Sequence, residues 1–316
     1  MTVLLPPRDL RARFVERATA RFAAQVPDFV RLRALVTAHG GSLVIDHGAI
    51  RSADPAVTAL FVRAARVLGL HRERAYRFPA KKLTSFDLQV PGDEASAFKI
   101  FVSEVALDAF PPAVADRVRE DCAAQGAAVD RTALLGLIAR AERDGGLAPA
   151  DADAFLREMV DNLMTRPGPP LRRAVLDAVA AVSGEAASAL ALGPDFNHLT
   201  VDVRAAGFAG IEAMAAAMQA AGFRLLPAIQ GAAGTVLRQT ATMAATVATP
   251  VLEADGRLGS AETERQFVEI IERGQAVDAD GVPLWRDDGR PQVFRHFLAA
   301  NAEKIFDAAA TRPRDG

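Results

Sequence analysis

Five histidines occur in the 316 residues: His39, His47, His71, His198 and His296. Two of them, His47 and His198, sit inside apolar, strand-like runs far apart in the chain. A third group of the right kind is Glu269, in the run Gln266-Phe267-Val268-Glu269-Ile270-Ile271-Glu272-Arg273-Gly274. Two imidazoles and one carboxylate make a facial ligand set that leaves three adjacent positions open on a divalent ion such as iron(II), as oxygen chemistry requires. Period-2 alternation places Phe267, Glu269 and Ile271 on one strand face. A carboxylate flanked there by Phe and Ile points into an apolar interior and needs a cation beside it, either a metal ion or an arginine. Glu272 falls on the opposite face, toward solvent. His39, His71 and His296 have no partner visible in the sequence.

Elements that bring distant strands together must position such a set. Residues 8–38 read as helix broken near Pro27. The segment 41–105 is β-rich, with Ser42–Ile50 as strand, Pro55–Leu68 as helix, and Tyr76–Val90 and Phe98–Val105 as strands. Residues 106–190 are helical. A second β-rich stretch follows, with strands at Phe196–Arg204, Arg224–Gln230, Thr235–Thr249 and Arg265–Gly274, a helix at Gly210–Ala221, and a final helix over Val293–Ala309. The two β-rich stretches repeat one order, strand–helix–strand–strand–strand. Asp46-His47-Gly48-Ala49-Ile50-Arg51 opens the first and Asn197-His198-Leu199-Thr200-Val201 the second. Paired units of this kind can curl around a shared cavity and face equivalent strand positions toward each other. Phe101-Val102-Ser103 closes the first copy as Phe267-Val268-Glu269 closes the second. That pairing sets Ser103, a poor ligand for a divalent ion, at the place of Glu269.

The expected organisation is therefore an α+β protein of paired βαβββ modules, forming a cupped sheet around a metal site with an added helical block. Its segments are an N-terminal helical stretch 1–40, a first module 41–105, a helical insertion 106–190, a second module 191–275 and a C-terminal helix 276–316, all in one catalytic unit. Arg51, four residues after His47, shares its strand face if the strand runs that far. Its guanidinium suits a carboxylate through two parallel hydrogen bonds, although in a chain with 33 arginines and four lysines a surface position is equally open. Gln239 lies on a predicted strand and faces either pocket or solvent. Of Lys81 and Lys82, adjacent in sequence, at most one can face inward. Lys+Arg 37 against Asp+Glu 39 gives a net charge of −2, with no basic field for nucleic acid or anionic lipid. The single cysteine, Cys122, forms no internal disulfide, and no run of 18 apolar residues crosses a membrane. Arg-rich residues 8–33 are interrupted by Asp9, Glu16 and Asp28, unlike a transit peptide. These features lead us to expect a cytoplasmic protein.

Together, the Asp46–Arg51 strand, Arg77-Phe78-Pro79-Ala80-Lys81-Lys82-Leu83, Lys99-Ile100-Phe101-Val102-Ser103-Glu104, Asn197-His198-Leu199-Thr200 and Phe267–Gly274 span about residues 40–275. In letters, order and spacing the chain resembles the 2-oxoadipate dioxygenase/decarboxylase family of the vicinal oxygen chelate (glyoxalase-like) superfamily. The resemblance implies Fe(II) held by His47, His198 and Glu269, with Arg51 gripping a substrate carboxylate. It also implies a small 2-oxo acid and O2 as the reacting partners, with 2-hydroxyglutarate and CO2 as the products from 2-oxoadipate. Gln239 and Ser103 are the further substrate-binding candidates, and the family's Gln-Ser/Thr run appears here in altered form as Gln239-Thr240-Ala241-Thr242. Two other expectations stand beside this one. A glyoxalase-like lyase or isomerase would use four protein ligands, and a small-molecule binding module would need no metal.

Overall fold

The computed structural model describes residues 3–92, 98–166 and 168–309. Helices α1 (Pro7–Gln25) and α2 (Pro27–Ala38) are separated at Val26, which is held extended because a proline follows it. The first module runs β1 (Ile45–Ser52), α3 (Pro55–Val67), β2 (His71–Phe78), β3 (Leu83–Gln89) and β4 (Lys99–Val105). Asp54 starts α3 by accepting hydrogen bonds from the amides of Ala56 and Val57, with Pro55 at the first helical position. Next come α4 (Pro112–Ala127), α5 (Thr132–Asp144), α6 (Pro149–Arg157) with a π-helical turn to Leu163, β5 (Leu171–Arg172), α7 (Arg173–Ala180) and α8 (Gly184–Leu192). The second module comprises β6 (Phe196–Asp202), α9 (Ile211–Ala220), β7 (Leu237–Ala241) and β10 (Phe267–Arg273). A hairpin of β8 (Thr246–Leu252) and β9 (Leu258–Glu264) is inserted before β10, and α10 (Ala299–Ile305) closes the chain.

Seven strands form one curled sheet in the order β2-β3-β4-β1-β6-β10-β7. At its centre β1 and β6 pair antiparallel, and each is flanked by a parallel partner, β4 beside β1 and β10 beside β6. The sheet therefore has an approximate twofold relation between its halves, as the paired-module expectation requires. Register fixes the equivalences. His47 pairs with Lys99 and His198 with Phe267. Superposing the histidines thus puts Phe101, not Ser103, at the place of Glu269. The sequence reading aligned Phe101 with Phe267, which is two residues out of step.

Alternation along these strands divides their side chains between two cores. Ile50, Ile100, Val102, Leu199, Val201, Val268 and Ile270 face the convex side, where Phe14, Phe22, Phe29 and Phe61 of α1–α3 cover them. Burying each such side chain contributes about 1.5–3 kcal/mol. Gly48 belongs to this face as a close approach: a Cβ there would lie 2.5 Å from the Phe196 ring. The opposite, concave face carries Ala49 and Phe101 along with the buried His47, Arg51, Ser103, His198, Thr200 and Glu269, under α7, α8, Phe297 and Phe306. No described helix is long and apolar enough to cross a membrane.

Several expected elements are redrawn. The Tyr76–Val90 strand is a hairpin, because Pro79 opens a short 3-10 turn and Lys82 takes a left-handed conformation (φ 54°). Arg224–Gln230 forms only isolated bridges, Leu225 to Thr242 and Gln230 to Gln239. Thr235–Thr249 splits into β7 and β8, and the latter leaves the main sheet to join β9 and β5. The helix expected over Val293–Ala309 is helical only from Ala299, since Phe294 first bonds back to Gly274 alongside β10. Residues 310–316 of the expected C-terminal segment lie outside the described residues.

Candidate metal centre

The local fold places the three expected ligands on neighbouring strands with their side chains on the same face. His47 comes from β1, His198 from β6 and Glu269 from β10, where Glu269 pairs in register with Thr200 of β6. They are 2, 5 and 1% exposed, and one ligating atom of each lies within 4.8 Å of the others. Glu269 Oε2 is 3.1 Å from His198 Nε2 and 3.7 Å from His47 Nε2. The arginine alternative for Glu269 is not what the fold adopts: among the described residues its partners are the two imidazoles and Thr200.

Thr200 Oγ1 stands 3.0 Å from His47 Nε2 and 3.2 Å from Glu269 Oε2. Its single hydroxyl proton can serve only one of them, and His198 Nε2 is the other donor within reach of Glu269 Oε2. Among the described residues, Glu269 Oε1 and His198 Nδ1 are also buried without a partner. Burial lowers the His198 pKa, outweighing the neighbouring Glu269 carboxylate, and so favours the neutral imidazole that a metal binds. A divalent cation at the convergence point would occupy the lone pairs that the protein does not. Two imidazole nitrogens and one carboxylate suit iron(II). On these grounds the residues present fit the group.

The other candidates resolve individually. Arg51 lies on the concave face, 2% exposed, with both Nη atoms unpartnered among the described residues and its guanidinium 4.7 Å from the Phe306 ring centroid. Burial pulls its pKa down to about 10, partly offset by Glu185, so it stays protonated at neutral pH. The surface alternative for Arg51 is thereby set aside. Ser103, its register partner on β4, exchanges a 2.8 Å hydrogen bond with Ser85 Oγ. Gln239 is buried on β7, in register with Ile271, and its Oε1 has no partner. Lys81 is committed to Glu185 and Asp307, and Lys82 donates to the Ala109 carbonyl, so neither serves the centre. Cys122 is half-buried, and burial pushes its thiol up to about 12, which leaves it inert at neutral pH.

Sequence reasoning missed the neighbours that shape the site. Phe297 sets its ring edge-on to His47, with centroids 4.8 Å apart, and also touches Tyr76 and Phe101. It lies in a stretch read as helix, so no strand alternation pointed to it. Asp46 accepts from His47 Nδ1 at 2.8 Å. Strict alternation would send Asp46 to the other face, but the β1–β6 register shifts between Ile45 and His47. Asn197, the counterpart of Asp46, is buried with neither amide atom bonded. A separate cavity of about 60 Å³ beside Ser52, Cys122, Gln125 and Arg131 contains none of the triad.

Comparison with known proteins bears on the family and the fold. Residues 14–289 match the family model described as 2-oxoadipate dioxygenase/decarboxylase. No curated protein sequence matches the chain. Among solved structures, a protein described as glyoxalase superfamily from Ralstonia eutropha JMP134 is similar at 23% identity and TM-score 0.75, over 85% of this chain and 84% of that one. Hydroxyglutarate synthase from Oryza sativa, solved with 2-oxoadipate, is 18% identical with TM-score 0.69, covering 98% and 95% of the two chains. The Pseudomonas putida hydroxyglutarate synthase, also solved with 2-oxoadipate, is 24% identical with TM-score 0.71, over 88% of this chain and 67% of that one. At such identities these likenesses establish the fold.

Proposed function

The chain belongs to the 2-oxoadipate dioxygenase/decarboxylase family, and from that premise we propose that it is an Fe(II)-dependent dioxygenase that decarboxylates and hydroxylates a 2-oxo dicarboxylic acid, converting 2-oxoadipate to 2-hydroxyglutarate and CO2. The observation that carries the reading is the convergence of His47, His198 and Glu269 on one buried point of a concave face that also holds an unpaired guanidinium. Iron(II), when bound, would supply the activation of O2 and the Lewis acidity that binds the keto acid.

The rest falls to the chain's own residues. His47, His198 and Glu269 hold the ion. Phe101 occupies the place where a fourth ligand would come from the first module, so the protein contributes three ligands and leaves the remaining positions to substrate and oxygen. The same fact disfavours the four-ligand lyase. Arg51 receives the carboxylate remote from the keto group, since a buried cation without a partner is costly until an anion arrives. Ser103, in register with Arg51, provides a further polar contact beside it, and Gln239 provides one on the Glu269 side, from β7. Phe101, Phe297 and Phe306 keep water out, which strengthens every charge interaction inside.

The test is oxygen uptake with Fe(II) across 2-oxo acids from 2-oxobutyrate to 2-oxoadipate. Consumption favouring the dicarboxylic member, with equimolar CO2, is the expected result. Iron binding with no acid consumed would defeat the substrate assignment. Turnover without oxygen, on zinc or nickel, would replace it with the lyase.

A further inference from the structure

The feature that the proposed reaction leaves unused is a buried ionic pair behind His47. Arg273 lies four residues beyond Glu269 on β10 and grips Asp46 bidentately, Nε to Oδ2 at 2.6 Å and Nη2 to Oδ1 at 2.8 Å. The same Asp46 Oδ1 accepts from His47 Nδ1. The third arginine nitrogen, Nη1, donates to the backbone carbonyls of Phe294 and His296 at 3.1 and 2.9 Å. Those carbonyls lie just before Phe297, whose ring covers His47. One guanidinium therefore spends its donors on two things at once: the acid behind a ligand and the strand of chain laid over that ligand.

We propose that Asp46 and Arg273 are positioning residues that fix His47 for metal binding and couple its orientation to the seating of residues 294–297 over the centre. The inference rests on the proposed metal site. The chemistry runs as follows. A charged acceptor at Nδ1 keeps the proton on that nitrogen, turns the ring, and leaves the Nε2 lone pair directed at Glu269 and the cation position. Asp46 can do this only while Arg273 neutralises it, because a lone buried carboxylate would be expelled or protonated. Lys99, 3.9 Å away, adds a second positive charge. Arg273 in turn has its geometry set by the two carbonyls, so displacing the covering strand would loosen the arginine, the acid and the imidazole in sequence. His198 has no such support. Its Nδ1 is unpartnered, its neighbour is the neutral Asn197, and Val105 occupies the place equivalent to Arg273. That ring is held by stacking on Phe267, at 4.7 Å, and through Nε2 by Glu269 itself, with no acid behind it among the described residues.

Asparagine at position 46 keeps the shape but must turn its NH2 toward a donor. If the NH2 faces His47, it drives the proton to Nε2 and blocks the ligand. If it faces Arg273, it breaks the fork. The experiment titrates Co(II) into metal-stripped parent, Asp46→Asn and Arg273→Lys, reading the visible bands. Ring-nitrogen NMR of His47 and hydrogen exchange over residues 294–298 are recorded alongside. Asp46→Asn should weaken Co(II) by about 10–100-fold and shift the His47 ring away from the Nδ1-protonated form. Arg273→Lys keeps the charge, so it should weaken Co(II) less while speeding exchange across 294–298. A merely structural pair would alter exchange and leave the His47 tautomer unchanged. The proposal is overturned if Asp46→Asn binds Co(II) as tightly as the parent with the Nδ1 proton in place. Should Asp46→Asn fail to fold, Arg273→Lys decides: unchanged affinity and unchanged exchange would also overturn it. A parent chain that binds no Co(II) would defeat the metal site itself, a result distinct from either.

Discussion

In the first half of the sheet His47 is anchored through Nδ1 to Asp46, and the strand beside it presents Phe101 to the centre. In the second half His198 stands beside the neutral Asn197 with Nδ1 unpartnered, and the neighbouring strand presents Glu269. The halves differ in build too. The first keeps a complete β2–β3 hairpin. The second replaces the β2 equivalent with isolated bridges and sends a hairpin, β8–β9, out to pair with β5. Repetition supplies the two histidines at equivalent places, whereas divergence supplies everything that makes the centre open on one side. A fully symmetric site would hold four ligands. In the proposed centre, Phe101 on one half stands at the place that Glu269 takes on the other.

The sharpest way to break the comparison is to remove a ligand from the second half. His198→Ala and Glu269→Ala should each cost more than the roughly 10–100-fold loss expected for an outer-sphere partner. Metal analysis of purified protein would check this, and a variant retaining stoichiometric iron would overturn the ligand assignment. Restoring the missing symmetry comes next. Phe101→Glu should keep or tighten metal binding yet abolish oxygen uptake, because the added carboxylate takes a position the reaction needs. Metal-dependent oxygen uptake at the parent rate would show that Phe101 does not stand at the fourth position.

Arg51 gives a smaller effect with two signs. Arg51→Met should reduce the preference for a dicarboxylic over a monocarboxylic 2-oxo acid by about 10–100-fold, the worth of a charged hydrogen-bond pair. It should also raise the melting temperature of the ligand-free protein, since an unpartnered buried cation is replaced by an apolar side chain. Asn197→Asp tests the supporting residues. With Val105 where the first half's acid finds Arg273, the new carboxylate has no arginine and should destabilise the chain by about 1–3 kcal/mol. Val105→Arg in the same chain should recover part of that loss.

The smallest expected effect concerns Asp87, buried under β2 in the first half only. It accepts from the Arg74 amide, the Gln89 side chain and the Tyr76 hydroxyl. Burial would raise its pKa, but His296 and these donors together hold it below the ordinary 3.8. A depressed carboxylate stabilises the folded chain above its unfolded pKa and loses that contribution as pH falls through the folded value. Melting of metal-stripped protein should therefore weaken below about pH 4, and less so in Asp87→Asn. Identical acid profiles would remove Asp87 from the account.

Much of the site was legible because its ligands sit in strongly alternating strands. Period 2 set Glu269 on the face of Phe267 and Ile271, and put Arg51 on the face of His47 on the condition that the strand ran that far, which β1 does; the repeated strand–helix order pointed to a shared cavity. The pairing of Phe101 with Phe267 failed because similar letters carry no register; hydrogen bonding between β1 and β4 and between β6 and β10 sets it. The extended run 294–298 was read as helix because its apolar residues satisfy a helical period, while its backbone is claimed by Gly274 and Arg273 instead.

Local patterning alone thus marked most of the strands and helices, the two equivalent histidines and the acid beside them. Which atoms meet was decided only by the assembled chain. Asp46 and Arg273 are 227 residues apart, and nothing in either neighbourhood announces the other. Their encounter depends on closing the sheet at β1–β6 and seating β10 alongside, a consequence of burying both faces of the strands at once that no short window of residues contains.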